Sequence, residues 1–305
     1  MAVVERAGGD STRSDISFSS GDQRCAAWLY RPRAPTSAGV VVMAHGLGAP
    51  RHARLDVFAA RIAAAGIAVV LFDYRHLGAS EGQPRQLVDI GRQLADWRAA
   101  VAFARGLEGI DPEKIALFGT SFGGGHALVT AAEGTGIAAV VAQTPYLDPR
   151  GSARYRPRGL AFAGLVLIAF ADRFGGRLGL PPLTIPICTA PGRIGALATP
   201  DAREGFRILD VDGAGVNRIA ARVMLELPDY RPGKRVTDVR CPVLYVLAEE
   251  DWLVPIDHAL RIVAETPNAR LHRFPGGHFD VYRTETPLFE NIIAAEVAFL
   301  KSVLC

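Results

Sequence analysis

A chain of 305 residues that is 49% hydrophobic and 21% charged is too apolar and too weakly charged to stay disordered. Its 34 basic and 31 acidic residues leave a formal net charge of +3, without the basic excess of a nucleic-acid binder. Four cysteines (Cys25, Cys188, Cys241 and Cys305) form no C-x-x-C pair and no histidine stands at metal-ligand spacing, so they read as reduced thiols of a cytoplasmic protein, and neither metal nor other cofactor is expected.

Met1 to Asp15 carry charges and glycines but no apolar run, so no signal peptide is expected. Ser14 to Ser20 and Arg24 to Tyr30 read as two strands joined at Gly21-Asp22. Gly39 to Ala44 is short, β-branched and apolar throughout, as a strand covered on both faces should be. Ala53 to Ala65 has apolar residues at helical spacing, and Gly66 stops it. Ile67 to Phe72 is a second buried strand, ending at Asp73. Leu87 to Arg105 reads as a helix, Lys114 to Phe118 as a strand, Phe122 to Glu133 as a helix and Ile137 to Ala142 as a strand. This alternation predicts an α/β chain, with a mostly parallel sheet and helices on both faces.

The pattern breaks from about Tyr146 to Val236, a stretch rich in Pro, Gly and Arg. It contains the uncharged apolar run Gly159 to Ala171 and an expected helix around Val216 to Leu227. The run is shorter than the roughly 18 to 20 residues of a membrane span, so no integral membrane segment is expected. It could line an acyl pocket, face a membrane surface or pack on the sheet as an ordinary helix. Arg150, Arg154, Arg156, Arg158, Arg173 and Arg177 lie in the same stretch and read as solvated charge rather than as a clamp for a substrate anion. Alternation resumes with strand Pro242 to Leu247, helix Ile256 to Glu265, strand Ala269 to Phe274 and helix Glu285 to Leu300. The organisation predicted is a core of residues 1–145 and 237–305 interrupted by an inserted, partly helical cap of residues 146–236.

Chemistry concentrates where strands end. Gly119-Thr-Ser121-Phe-Gly123 places a serine between a strand and a helix, where small neighbours permit a strained turn. A glycine-rich turn of this kind also binds anions or simply packs tightly. A serine hydroxyl needs a base, and the base needs an orienting group. His278 follows Gly276-Gly277 in a loop after a strand, and Glu249-Glu250-Asp251 follows another strand. The candidate set is Ser121, Asp251 and His278, with Glu249 or Glu250 as other carboxylates able to orient the histidine. After the strand Val40 to Met43, the turn His45-Gly46-Leu47 can aim the Leu47 N–H at the point faced by the Phe122 N–H, which would make a two-donor oxyanion hole. Of the remaining histidines, His45 reads as part of that turn. His126 and His272 read as packed side chains and His258 as a surface one. His52 and His76 lie in loops near the strand ends, with a substrate role left open. Asp280 reads as a residue that fixes the His278 loop.

These residues resemble the α/β-hydrolase-fold serine hydrolases. The resemblance rests on His45-Gly46, Phe72-Asp73-Tyr74-Arg75 leading to Gly78-Ala-Ser80, Gly-Thr-Ser121-Phe-Gly, Asp251 and Gly277-His278. It spans about Gly39 to Pro145 and Cys241 to Leu300, and is nearest to bacterial esterases of the dienelactone-hydrolase and serine-aminopeptidase type. It implies Ser121 as nucleophile, His278 as base, Asp251 (just before Trp252-Leu-Val-Pro255) as its orienter, and Leu47 and Phe122 as oxyanion donors. The implied function is hydrolysis of a carboxylic ester of a small, fairly apolar molecule. A peptidase, thioesterase, lactonase or carbon–carbon bond hydrolase would use the same triad, an acyltransferase would exchange water for another nucleophile, and a binding protein would need neither Asp251 nor His278. A small-molecule substrate is the expected partner, no nucleic acid is expected, and a homo-oligomer is left open.

Overall fold

Runs of valine, alanine and leucine without polar alternation become the inner strands of one sheet. The chain enters through β1 (Arg6–Gly8), β2 (Ser11–Ser20) and β3 (Gln23–Pro32), continues with β4 (Val40–Ala44), β5 (Ala68–Phe72), β6 (Ile115–Thr120) and β7 (Ala139–Gln143), forms a separate two-stranded ribbon from β8 (Thr184–Ile185) and β9 (Ile219–Ala220), and closes with β10 (Val243–Ala248) and β11 (Ala269–Phe274). The helices are α1 (Leu55–Ala64), α2 (Ile90–Arg105), α3 (Phe122–Ala132), α4 (Gly159–Arg177), α5 (Ala202–Leu209), α6 (Ile256–Glu265) and α7 (Pro287–Leu304). This computed structural model describes residues 6–8, 10–134, 136–151, 157–209 and 217–305.

The large sheet has the order β1-β2-β3-β5-β4-β6-β7-β10-β11. Strands β5 to β11 in that order pair in parallel, and β1, β2 and β3 join antiparallel at one edge. Every residue of β4, β5, β6, β7 and β10 is buried, because α1 packs with α7 on one side and α2 with α3 on the other. Each fully buried valine or leucine there stabilises the fold by about 1.5–3 kcal/mol. The fold is that of the α/β hydrolases. The four cysteines are free.

Element starts follow local chemistry. Helix α2 begins at Ile90 rather than at Leu87 because the Asp89 side chain caps it, accepting the Arg92 N–H at 2.9 Å. Helix α7 begins at Pro287, behind a Thr286 cap, and runs on to Leu304 instead of stopping at Leu300. Between β7 and β10 the chain leaves the sheet, and expectation and structure part most there. The helix expected over Val216 to Leu227 does not form: Val216 lies outside the described residues, Ile219–Ala220 pair with β8, and Ala221–Leu225 make a 3-10 turn. The Arg222 N–H is claimed by Asp172, an acceptor fifty residues away that no local pattern announces. Asp172, which bounded the apolar run, does not end it. It turns inward onto Arg222, and α4 extends to 19 residues.

Candidate active site

Three of the parallel strands deliver polar side chains to one point at their C-terminal ends, the place where open α/β sheets bind ligands. Ser121 sits between β6 and α3 with φ 53° and ψ −118°, a conformation that side chains avoid. It is held there by backbone bonds: the Ser121 N–H donates to Gln143 O, and Ser121 O accepts from Tyr146 N, both at 2.8 Å. The turn also needs bare glycine. A Cβ on Gly119 would overlap the Gly123 carbonyl, and one on Gly123 would strike the His45 carbonyl.

His278 donates from Nδ1 to Asp251 Oδ2 at 2.7 Å. In neutral imidazole this leaves Nε2 to accept the Ser121 hydroxyl, 2.9 Å away. The other Asp251 oxygen, Oδ1, accepts the N–H groups of Leu253 and Val254 at 2.7 and 2.8 Å, so the carboxylate is fixed at both ends. Glu249 and Glu250 are exposed, and Glu249 pairs with Arg273. Burial alone would press the His278 pKa down; the Asp251 carboxylate, by charge and by hydrogen bond, and the nearby Asp201 charge lift it above its ordinary 6.5.

The His45-Gly46-Leu47 turn leans on this serine, since a Cβ on Gly46 would lie 2.9 Å from Ser121 Cβ. His45 Nε2 bonds Ala53 O at 2.8 Å, its Nδ1 accepts the Gly46 N–H at 2.7 Å, and its ring stacks on Tyr282. Burial pushes its pKa down to about 4, so the ring stays neutral and braces the loop. A buried Arg51–Asp73 ion pair fastens the end of this loop to the end of β5. Phe122 opens α3, where an N–H has no intrahelical acceptor. Leu47 and Phe122 both border the same cavity as Ser121 and His278.

That cavity, about 260 Å³, is walled mainly by apolar side chains of α4, the 3-10 turn after β9 and the loop 195–199. A second hollow of about 30 Å³ lies on the other side of Ser121 and His278, against Ile187, Cys188 and Phe206. The family model described as "Serine aminopeptidase, S33" matches residues 35–283. The chain belongs to this family of α/β hydrolases. The hydrolase is 40% identical over 291 residues to the quorum-quenching protein AidA of Acinetobacter baumannii, covering 95% of each chain. It is 27% identical over 298 residues to a polyketide transferase of Aspergillus fumigatus, covering 96% of this chain and 99% of that one. Among solved structures, the α/β hydrolase GrgF from Penicillium superposes with a TM-score of 0.81 at 26% identity, over 96% of this chain and 99% of that one.

Other polar residues of this hydrolase take structural places. His126 is wholly buried, bonded to Tyr230 Oη at 2.5 Å and Gln93 Oε1 at 2.9 Å, with its pKa pushed down to about 3 by burial. Its ring edge, with Tyr146 and Tyr230, brackets the Phe122 ring. His76 is buried between Pro84 O and Arg92, His52 is exposed, and neither borders either of these two cavities. Asp280 accepts the Gly277 N–H at 2.8 Å and bonds Arg283, which fixes the His278 loop. Arg150, Arg158, Arg173 and Arg177 are exposed, while Arg154 and Arg156 lie outside the described residues. Two residues had no sequence signal. Asp201 approaches the His278 loop from the chain between β7 and β10, and Tyr282 links Thr120 to His45. Both act across more than 70 residues of chain.

Proposed function

We propose that this hydrolase cleaves a carboxylic ester of a small, fairly apolar molecule through an acyl-enzyme on Ser121. The observation that carries the reading is the hydrogen-bonded chain Ser121–His278–Asp251 at the floor of an apolar cavity. The Ser121 oxygen attacks the ester carbonyl carbon while His278 Nε2 takes the hydroxyl proton. The carbonyl oxygen becomes an oxyanion within reach of the Leu47 and Phe122 N–H groups, and each such donor contributes roughly 3–4 kcal/mol to transition-state stabilisation. The carbon–oxygen bond to the alcohol breaks, and the alcohol leaves with the proton from His278. Water then attacks the acyl carbon, gives its proton to His278, and releases the acid as Ser121 regains its own proton. Asp251 holds the imidazole in the productive tautomer throughout.

Residues 146–236 act in this scheme as a cap on the core of residues 1–145 and 237–305, and select the acyl group. The free thiols support a reducing, cytoplasmic setting. Labelling with a fluorophosphonate probe and turnover of a short aryl ester test the chemistry. Both are expected in the wild type and lost in Ser121→Ala; a mutant that still labels and turns over would refute it. The relatives named as polyketide transferases favour one second reading, transfer of the acyl group to an alcohol or amine in place of water. Product analysis with a competing alcohol separates the two.

A further inference from the structure

Over its first 13 residues, Gly159 to Ala171, helix α4 is apolar on all sides, yet only Leu165 and Ala169 of that run are buried. A helix apolar all round belongs in a protein interior or against lipid. One face is accounted for: Phe162, Leu165, Val166 and Ala169 wall the cavity above Ser121. The opposite face carries Leu160, Leu167, Phe170 and Phe174, spaced by seven, three and four residues and so on one side of the helix. These four are 92%, 71%, 58% and 63% exposed. Leu178, Leu180 and Leu183 prolong the patch past the helix end, where the Leu180 N–H folds back onto Gly175 O. Of the ten large apolar side chains exposed among the described residues, eight lie between Leu160 and Leu183. That concentration on one segment marks an interaction surface rather than scattered surface residues.

Within this segment the exposed charge has one sign, and the acid brought near it by the 3-10 turn packed on α4 is Glu226, which faces Arg173 and Arg222. From Arg158 to Arg193 the exposed ionic residues are Arg158, Arg173, Arg177 and Arg193. The one acid in that stretch, Asp172, is buried and bound to Arg222. A two-fold contact with a second copy would bring like-charged rims together. A surface of anionic headgroups over an apolar layer complements both the arginines and the leucine–phenylalanine face. We propose that α4 docks this enzyme on anionic lipid membranes, lying in the plane of the interface. By length and composition α4 could cross a bilayer, but crossing would pull Asp172 off Arg222 and strip one wall from the cavity. Docked in plane, the helix keeps both and stands between the lipid and the cavity.

The test is flotation of the full chain with vesicles of phosphatidylcholine alone and of phosphatidylcholine with about a third phosphatidylglycerol. The wild type should float with the anionic vesicles and less so as NaCl screens the arginines. Leu167→Ser/Phe170→Ser/Phe174→Ser should lower partition by at least about tenfold, from the apolar area removed. None of the three borders the cavity, so turnover of a soluble short ester should be unchanged and will report that the variant is folded. Arg173→Glu/Arg177→Glu should weaken binding to the anionic vesicles alone. A wild type that stays with neither vesicle type at low salt overturns the proposal. So does a wild-type dimer, measured by light scattering, that the triple serine variant converts to monomer.

Discussion

The ends of the parallel strands and helix α4 answer burial in opposite ways. At the strand ends the groups that hold the site are tied by hydrogen bonds. Asp251 accepts from two backbone N–H groups and from His278, and His45 is bonded at both nitrogens. The geometry there is fixed before any substrate arrives, which is what electrostatic stabilisation of a transition state demands. In α4 a single buried polar anchor, Asp172 on Arg222, holds a helix whose outer face has no cover among the described residues. The first region is arranged for one chemistry, and the second can vary in what it admits or touches without disturbing it.

The largest test of this contrast is at the first region. Ser121→Ala removes the proposed attacking atom, and kcat should fall by about a million-fold while melting temperature holds. Asp251→Asn should cost roughly ten thousand-fold, because the imidazole loses its orienting acceptor. The pH profile adds a direction. In the proposed mechanism His278 works as a base only when neutral, and its pKa lies above 6.5, so kcat/KM should decline as pH falls through a midpoint above that value. In Asp251→Asn the raising charge is gone and the midpoint should move down. A midpoint that stays in place would detach Asp251 from the titration.

The same contrast explains what the sequence discloses. Leu47, Ser121 and Asp251 each stand a few residues past a strand buried along its whole length, and His278 follows the edge strand β11 at Gly276-Gly277, so strand ends and site could be read together. The inner strands β4, β6 and β10 are legible because both their faces are covered, whereas β11, at the sheet edge, carries Arg270, His272 and Arg273. The chain between β7 and β10 follows distant partners instead. Helix α5 is eight residues long and rests Gly205 against the Phe279 ring, 74 positions downstream. The apolar run reads as too short because Asp172 bounds it in the sequence, and only its pairing with Arg222 shows that Asp172 faces inward. Short helices and long-range charge pairs leave no period in the chain.

A second test therefore falls on the anchor. Asp172 accepts from Arg222 Nε at 2.8 Å and Nη2 at 2.9 Å, and also takes the Arg222 and Leu183 N–H groups. Asp172→Ala leaves a largely buried guanidinium and two N–H groups unmatched, a loss of about 3 kcal/mol. Amide exchange across residues 159–177 should accelerate, and KM for a long-chain ester should rise more than for a short one. Unchanged exchange would mean that the cavity side chains alone hold α4.

The smallest effect is expected behind Ser121. Glu296, on α7, is fully buried, and Gln143 Nε2 donates to it at 2.9 Å, while its second oxygen has no protein partner. The Gln143 carbonyl is the group that accepts the Ser121 N–H. Burial pushes the Glu296 pKa up to about 8. The native chain thus keeps a proton that the unfolded chain releases near 4.5. That contribution is complete below 4.5 and is lost as pH rises through about 8, so stability should decline across this window. Glu296→Gln retains an acceptor for Gln143 and removes the titration. Its melting temperature should depend less on pH between 5 and 8, with a gain on the order of 1 kcal/mol at the upper end. Because the carboxyl is neutral at pH 7, the substitution leaves the charge behind Ser121 unchanged, and kcat there should stay within about twofold. A large fall in kcat with the fold intact would show instead that the acid, through Gln143, sets the position of the serine.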